Sequence, residues 1–139
     1  MADKINFLYR ILDANINRTL EGLRVCEDTM RFVWNNYYLS RKLKNLRHRL
    51  NKIIKKMELN KKILLKARDT EKDIGKKSSF DELQRKDFKD ILFANLQRVK
   101  ESLRVLEEFS KIIDKRIAQE YKEIRYEVYK IEKKIALSI

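Results

Sequence analysis

The chain repeats part of itself at an offset of 80 residues. Residues 11–28 read ILDANINRTLEGLRVCED and residues 91–108 read ILFANLQRVKESLRVLEE, with ten of the 18 positions identical. A looser match follows each copy, where Leu46-Arg47-His48 parallels Ile124-Arg125-Tyr126 at an offset of 78. Two copies are too few for a solenoid. The repeat therefore predicts two similar halves packed about a pseudo-twofold axis.

Apolar residues in each copy recur with the period of an α-helix. At 100° per residue, the apolar side chains from Leu8 to Trp34 form one broad face, and a second apolar group lies beyond Asn15, Arg18 and Gly22. The chain has no proline and only two glycines, so β-hairpin turns and glycine-rich phosphate loops lack their usual residues. These observations predict an all-α protein with a polar row inside the bundle or at its rim.

Capping residues give the predicted boundaries in the first half. Asp3 can start a helix that ends near Tyr37, and Ser40 can cap a second helix that ends near Met57. A short third segment is expected from Asn60 to Lys66.

The second half begins after an irregular stretch at residues 68–78. Ser79 and Glu82 form a capping box for a helical region that carries Asn95 and ends near Ile113. Asp114 then starts a last helix that runs almost to Ile139. We predict one domain over residues 1–139, with repeat units at about 3–57 and 79–137 joined by a connecting segment at 58–78. The expected architecture is a helical bundle of two pseudo-twofold-related long-helix hairpins joined by a basic loop.

Charge and cysteine content limit the classes of function. The formal net charge is +13, which favours an anionic partner such as a phosphorylated metabolite, a nucleic acid or an acidic membrane. Cys26 is the only cysteine, which excludes an intrachain disulfide and a cysteine-rich zinc site. The first residues do not follow the pattern of a signal peptide, and no apolar run is long enough to span a membrane. We expect a cytoplasmic protein.

A polar series occurs once in each repeat copy. Its spacing is Asn-x-x-Arg-x-x-Glu-x-x-Arg, and steps of three place its side chains on neighbouring turns of a helix. Arginine binds carboxylate and phosphate groups in the same bidentate manner, so the series predicts either an internal salt-bridge network or an anion site. Its members are Asn15, Arg18, Glu21 and Arg24 in the first copy, and Asn95, Arg98, Glu101 and Arg104 in the second.

The connecting segment carries a second group of polar residues, ARDTEKDIG at 67–75. Arg68 can bind a phosphate and Thr70 can donate a hydrogen bond to it. Asp69 and Asp73 offer the oxygen ligands that Mg²⁺ prefers. The alternative is a polar connector in which Asp69 or Thr70 caps a turn.

Other residues carry weaker signals. Residues 41–77 hold 15 Lys and Arg against four Asp and Glu, which is typical of a solvated helix face and also of a surface that binds phosphates. His48 is the only histidine, so it cannot belong to a paired-histidine metal site. Cys26 lies on the apolar face and is expected in the core.

Three blocks together resemble a known family. They are Leu12–Phe32, Ala67–Gly75 and Phe88–Lys111, and their shared pattern combines two AN-x-x-R-x-x-E-x-LRV blocks with RDT-x-x-D-x-G. The chain resembles the small helical domain often fused in front of bacterial thiamine-phosphate synthase and sometimes found alone. That domain is regarded as a hydroxymethylpyrimidine-phosphate kinase unrelated to the ribokinase-like enzyme.

The resemblance implies phosphoryl transfer from ATP, with Mg²⁺, to the monophosphate of 4-amino-5-hydroxymethyl-2-methylpyrimidine. It implies phosphate binding by Arg18, Arg98 and Arg68, with Arg24, Arg104 and Arg47 in reserve. Asp69 and Asp73 would hold Mg²⁺, and Thr70 would bind substrate. The aminopyrimidine would contact Asn15 or Asn95 and Glu21 or Glu101.

Two other functions stay open. The domain can be a non-catalytic pyrimidine-phosphate-binding module or partner of thiamine-phosphate synthase. It can also be a basic helical nucleic-acid-binding protein, although a doubled polar row favours a small ligand over a polyanion.

Overall fold

The computed structural model describes residues 2–59 and 61–139, which form six helices and no strand. The predicted all-α class is confirmed. The helices are α1 (Ala2–Phe32), α2 (Tyr37–Lys56), α3 (Lys61–Ala67), α4 (Phe80–Leu83), α5 (Phe88–Ser110) and α6 (Lys115–Ser138). The predicted start of the third segment at Asn60 lies outside the described residues.

The four long helices form the predicted bundle of two hairpins. Helix α1 packs against α2 and α5, and α6 packs against α5 and α2, so each hairpin contacts the other along two lines. The short α3 packs on α1. The core is built from the apolar faces of all four long helices, and its fully buried members include Leu12, Leu23, Met30, Leu43, Leu92, Leu103, Tyr121 and Ile124.

The two repeat copies meet where α1 and α5 cross. The hydroxyl oxygens of Thr19 and Ser102 lie 2.6 Å apart, and a Cβ added to Gly22 would come within 2.7 Å of Val99 Cγ2. Because later residues of α1 contact earlier residues of α5, the two helices run antiparallel. Small side chains at this point let the two backbones approach closely.

The first hairpin turns four residues earlier than predicted. Asn35 has a φ of 52°, in the left-handed region that asparagine tolerates, and the Asn36 N–H donates to Met30 O at 2.9 Å. The side chain of Asn36 then caps α2 by accepting from Leu39 N. The predicted end near Tyr37 and the predicted Ser40 cap are therefore wrong, because Asn35 and Asn36 supply the turn and the cap first.

The predicted helical region after Ser79 is interrupted. Ser79 accepts from Glu82 N as expected, but α4 ends at Leu83, and Asp87 caps α5 by accepting from Asp90 N. Residues 80–90 are exposed throughout, so no tertiary packing stabilises a longer helix there. Helix α5 ends at Ser110, and Asp114 caps α6 as predicted.

We expect Gly22→Ala to lower the free energy of unfolding by about 1–2 kcal/mol, because the added methyl meets the stiff side chain of Val99 and overpacking costs more than the gain in helix propensity. Urea unfolding followed by circular dichroism measures the change. Gly75→Ala is the control, since its new methyl would meet only Asp73 Oδ1 at 3.5 Å. Equal stability of the Gly22 variant and the wild type would contradict the close approach.

The buried thiol of Cys26 gives a second prediction. Burial raises its pKa to about 12, and its sulfur lies 3.7 Å from Leu92 O. Only the thiolate reacts with disulfide reagents. We therefore expect no reaction with an aromatic disulfide reagent at pH 8 in the folded protein and rapid reaction in urea, where the thiol titrates near its usual value. Rapid reaction of the folded protein would show that the α1–α5 interface opens.

Candidate functional site

The two asparagines of the polar row make the same contact in both copies. Asn15 Nδ2 donates to Ile11 O and Asn95 Nδ2 donates to Ile91 O, each at 2.8 Å. This bond uses one amide N–H, and in the first copy the amide oxygen accepts from Arg18 Nη1 at 3.4 Å. Asn15 is buried and Asn95 half-buried, as predicted for a row inside the bundle or at its rim.

The two arginines of the row lie on either side of the α1–α5 crossing. Arg18 and Arg98 are both exposed and line one cleft of about 320 Å³ with Asn15, Glu101 and Ser102. Gly75 and Glu82 of the connecting segment also line it. We call this space the central cleft. It takes residues from both repeat copies, although only the first copy contributes its asparagine.

The guanidinium groups in the central cleft form no ion pair with a carboxylate of the described residues, although Glu82 and Glu101 line the same cleft. Arg18 Nη1 lies 3.4 Å from Asn15 Oδ1, which is the one polar contact that the described residues give it. Over residues 2–59 and 61–139, Arg98 has no hydrogen bond or ion pair, and Glu101 accepts instead from Gln97 Nε2 at 2.9 Å. Two such groups in one cleft favour a bound anion with several oxygens.

The loop that follows α3 lies against the first half of α1. Arg68 donates from Nε and Nη2 to the two carboxylate oxygens of Asp13, both at 2.8 Å. The hydrogen bonds and charge of Asp13 raise the pKa of Arg68 above its usual value. The pair borders a second cleft, of about 310 Å³, which we call the loop cleft. It is lined by Asp69, Thr70 and Asp73 together with Arg10, Asn17 and Glu21.

The two aspartates predicted to hold Mg²⁺ each use one oxygen locally. Asp69 Oδ1 accepts from Lys72 N at 3.0 Å, and Asp73 Oδ1 accepts from Gly75 N at 2.9 Å. The second oxygen of each carboxylate has no hydrogen bond to the described residues. Among all the described residues, no group of three or more His, Cys, Asp or Glu side chains is placed to hold a metal ion. One or two carboxylates suit Mg²⁺ when substrate phosphates supply its other ligands, and the site stays a prediction.

The reserve arginines lie elsewhere, around two buried carboxylates. Glu27 accepts from Arg47 Nε at 2.9 Å and lies 3.5 Å from Arg24. In the second copy Glu107 contacts Arg104 at 2.6 Å and Arg125 at 3.2 Å.

These contacts link α1 to α2 and α5 to α6. The carboxylates of the predicted ladder, Glu21 and Glu101, are not the partners of these arginines among the described residues. Substrate binding by Arg24, Arg47 and Arg104 stays a prediction without support from their position.

Asp13 is the residue that sequence reasoning missed. The residue is 7% exposed, and its carboxylate binds Arg68 at the start of the 68–75 loop. The signal was present in the repeat itself, because position 13 is an aspartate where the second copy has Phe93. Gly75 and Glu82 were missed as cleft residues because they are distant from the polar row in sequence.

Fold and site together define an all-α protein in which a duplicated hairpin forms one cleft, lined by an arginine from each copy, at its pseudo-twofold axis. Comparison of the sequence with known families gives a match to the ThiD2 family over residues 10–134. The chain belongs to this family.

The curated relatives are longer proteins. A thiamine-phosphate synthase of Nostoc punctiforme is 44% identical over 126 residues, which cover 90% of this chain and 34% of that protein. Thiamine-phosphate synthases of Synechocystis and Rhodopirellula baltica are 42% and 36% identical and are covered over 34% of their length. The chain thus spans about a third of these relatives. No solved structure gives a significant match.

A search for membrane-spanning helices among the described residues finds none of sufficient length and apolar character.

The salt-bridge network predicts a stability effect that is the same in both copies. We expect Glu107→Gln and Glu27→Gln each to lower the free energy of unfolding by about 2 kcal/mol, because each removes the charged partner of a largely buried arginine. Urea unfolding measures both. Glu127→Gln, which breaks an exposed pair with Lys130, is the control and should change stability by less than about 0.5 kcal/mol. A large loss of stability in only one of the two variants would show that Glu27 and Glu107 do not have equivalent roles.

Proposed function

We propose that this protein transfers a phosphoryl group from ATP to hydroxymethylpyrimidine monophosphate and releases the diphosphate, as a step of thiamine biosynthesis. The observation that carries the proposal is that two guanidinium groups without an ion pair to the described residues, one from each repeat copy, line the central cleft. A monophosphate and a triphosphate that react with each other need such a concentration of positive charge.

The reaction needs alignment and charge neutralisation more than a strong base. An oxygen of the acceptor monophosphate is already ionised near neutral pH. It forms a bond to the γ-phosphorus of ATP, while the bond from that phosphorus to the β,γ-bridging oxygen breaks and ADP leaves with the electron pair. Arg18 and Arg98 hold the two phosphates in line and stabilise the negative charge on the transferring group.

The remaining residues orient the substrates. The amide oxygen of Asn15, which accepts from Arg18 Nη1, also accepts a hydrogen bond from the exocyclic amine of the pyrimidine, and Glu101 lies in the same cleft for a second contact. Arg68 is given no substrate contact, because Nε and Nη2 of its guanidinium group bind Asp13. Thr70 lines the loop cleft and can donate its hydroxyl to a phosphate oxygen.

The carboxylates of the loop cleft fit a divalent cation. Asp69 and Asp73 each keep one oxygen without a hydrogen bond to the described residues, and they would hold Mg²⁺ together with nucleotide phosphates. When bound, Mg²⁺ neutralises phosphate charge and polarises the γ-phosphoryl group.

A second candidate function is a non-catalytic pyrimidine-phosphate-binding or partner module of thiamine-phosphate synthase. It is favoured by the relatives, in which the matching segment is about a third of a thiamine-phosphate synthase. In this case the same cleft binds the pyrimidine phosphate, and the chain passes it to the synthase without turnover.

The test is an assay of diphosphate formation with purified protein, ATP, Mg²⁺ and the pyrimidine monophosphate. We expect turnover by the wild type and a loss of about 100-fold or more in kcat/KM for Arg18→Ala and Arg98→Ala, because each removes a charge-stabilising group. Arg116→Ala is the matched control, since its side chain is 93% exposed and lies outside the cleft. Its kcat/KM should equal that of the wild type.

The outcomes separate the two candidate functions. Absence of wild-type turnover contradicts the kinase. If the monophosphate still raises Tm, and Arg18→Ala abolishes that rise, the binding module is supported. No effect of the monophosphate on Tm would contradict both.

A further inference from the structure

The two repeat copies differ at the residue that anchors the connecting segment. Asp13 is 7% exposed, binds Arg68 through both carboxylate oxygens and accepts a further hydrogen bond from Asn17 Nδ2 at 3.3 Å. The equivalent residue of the second copy is Phe93, which is half-buried against the core and has no acceptor. The anchor therefore exists in the first copy only.

This pair is the main tie between the segment and the bundle. No residue from 68 to 90 is buried. The other hydrogen bonds of residues 69–87, in the part of the chain that the structure describes, join residues no more than five positions apart. The position of the segment over α1 thus depends on Asp13 and Arg68.

The anchor places the segment over one end of a nearly symmetric groove. Arg18 and Arg98 flank the pseudo-twofold axis, with Asn15 towards one end and Asn95 towards the other. From Arg68 the chain reaches Gly75 and then Glu82, both at the Asn15 end. Asn15 at this end is 4% exposed, whereas its repeat equivalent Asn95 is half-buried. One end is covered and the other is open.

We propose that Asp13 is a positioning residue: through Arg68 it fixes the 68–75 loop over the Asn15 end of the groove, so that only one of the two equivalent ends binds ligand. Arg68 acts in this pair as an anchor and does not contact the phosphate. The inference rests on the proposed function for the identity of the ligand, and on the anchor alone for the position of the loop.

The experiment combines a kinetic and a structural measurement on Asp13→Asn, Arg68→Ala and the double variant. We expect each single variant to raise KM for the pyrimidine monophosphate, with a loss of up to about 100-fold in kcat/KM, because a misplaced loop loses alignment. The double variant should be no worse than either single variant, as two members of one pair are not additive. Trypsin should cleave at Lys72, Lys76 and Lys77 at least several-fold faster in all three.

The control is Glu132→Gln, which breaks a partly buried ion pair with Lys100 between α5 and α6, away from both clefts. It should leave KM and tryptic cleavage of the loop unchanged even if it lowers Tm. The charge-swapped variant Asp13→Arg/Arg68→Asp should restore slow cleavage and part of the lost affinity. Titration calorimetry with the monophosphate should give one site per chain.

The outcomes keep the two proposals distinct. Three results would contradict the proposed role of Asp13. They are slow tryptic cleavage of Asp13→Asn, binding of two ligands per chain, and a much larger loss of kcat/KM in Arg68→Ala than in Asp13→Asn. If the wild type neither binds nor turns over the monophosphate, the proposed function fails. The comparison of tryptic cleavage rates still decides whether Asp13 holds the loop.

Discussion

The close approach of α1 and α5 is the constraint on which the site depends. Gly22 and Ser102, which are repeat equivalents, occupy the crossing with Val99 and Thr19 against them. A larger residue at either position would separate the two helices. Arg18 and Arg98 would then move apart, and the two guanidinium groups would no longer line the same cleft. The packing of small residues between α1 and α5 therefore also sets the distance between the two arginines of the cleft.

The polar series of each copy serves two purposes because it does not stay on one face of the helix. A step of three residues turns back by about 60°, so the three steps of the series carry it about half-way round the helix. Asn15 and Arg18 consequently face the central cleft, whereas Arg24 contacts Glu27 beside α2. Asn15 and Arg18, at the beginning of the series, can therefore contact a ligand. Arg24, at its end, contacts the buried Glu27, which also binds Arg47 of α2.

Much of the fold could be predicted from the sequence, because the repeat and the helical period are properties of the whole chain. The caps at Ser79 and Asp114 depend on local sequence signals, and both predictions were correct. The errors arose where two local signals compete: Asn35 and Asn36 form a turn before Ser40 can act as a cap. The helix after Leu83 stops because nothing packs on it, and a capping box cannot reveal that.

In the candidate site, the grouping of Asn15 with Arg18 followed from spacing. The contacts across the axis and the Asp13–Arg68 pair depend on tertiary structure, although the mismatch of Asp13 with Phe93 was visible.

The pseudo-twofold relation of the hairpins also bears on the history of the molecule. Two equal hairpins around an axis are what a homodimer of a half-length ancestor would form, since a twofold interface pairs each surface with itself. In such a dimer every substitution appears twice, and an aspartate at position 13 would place a carboxylate in both subunits. A single chain that carries both halves is free of that restriction. One half can then hold an acidic residue that anchors the connecting loop, while the other holds an aromatic side chain packed against the core.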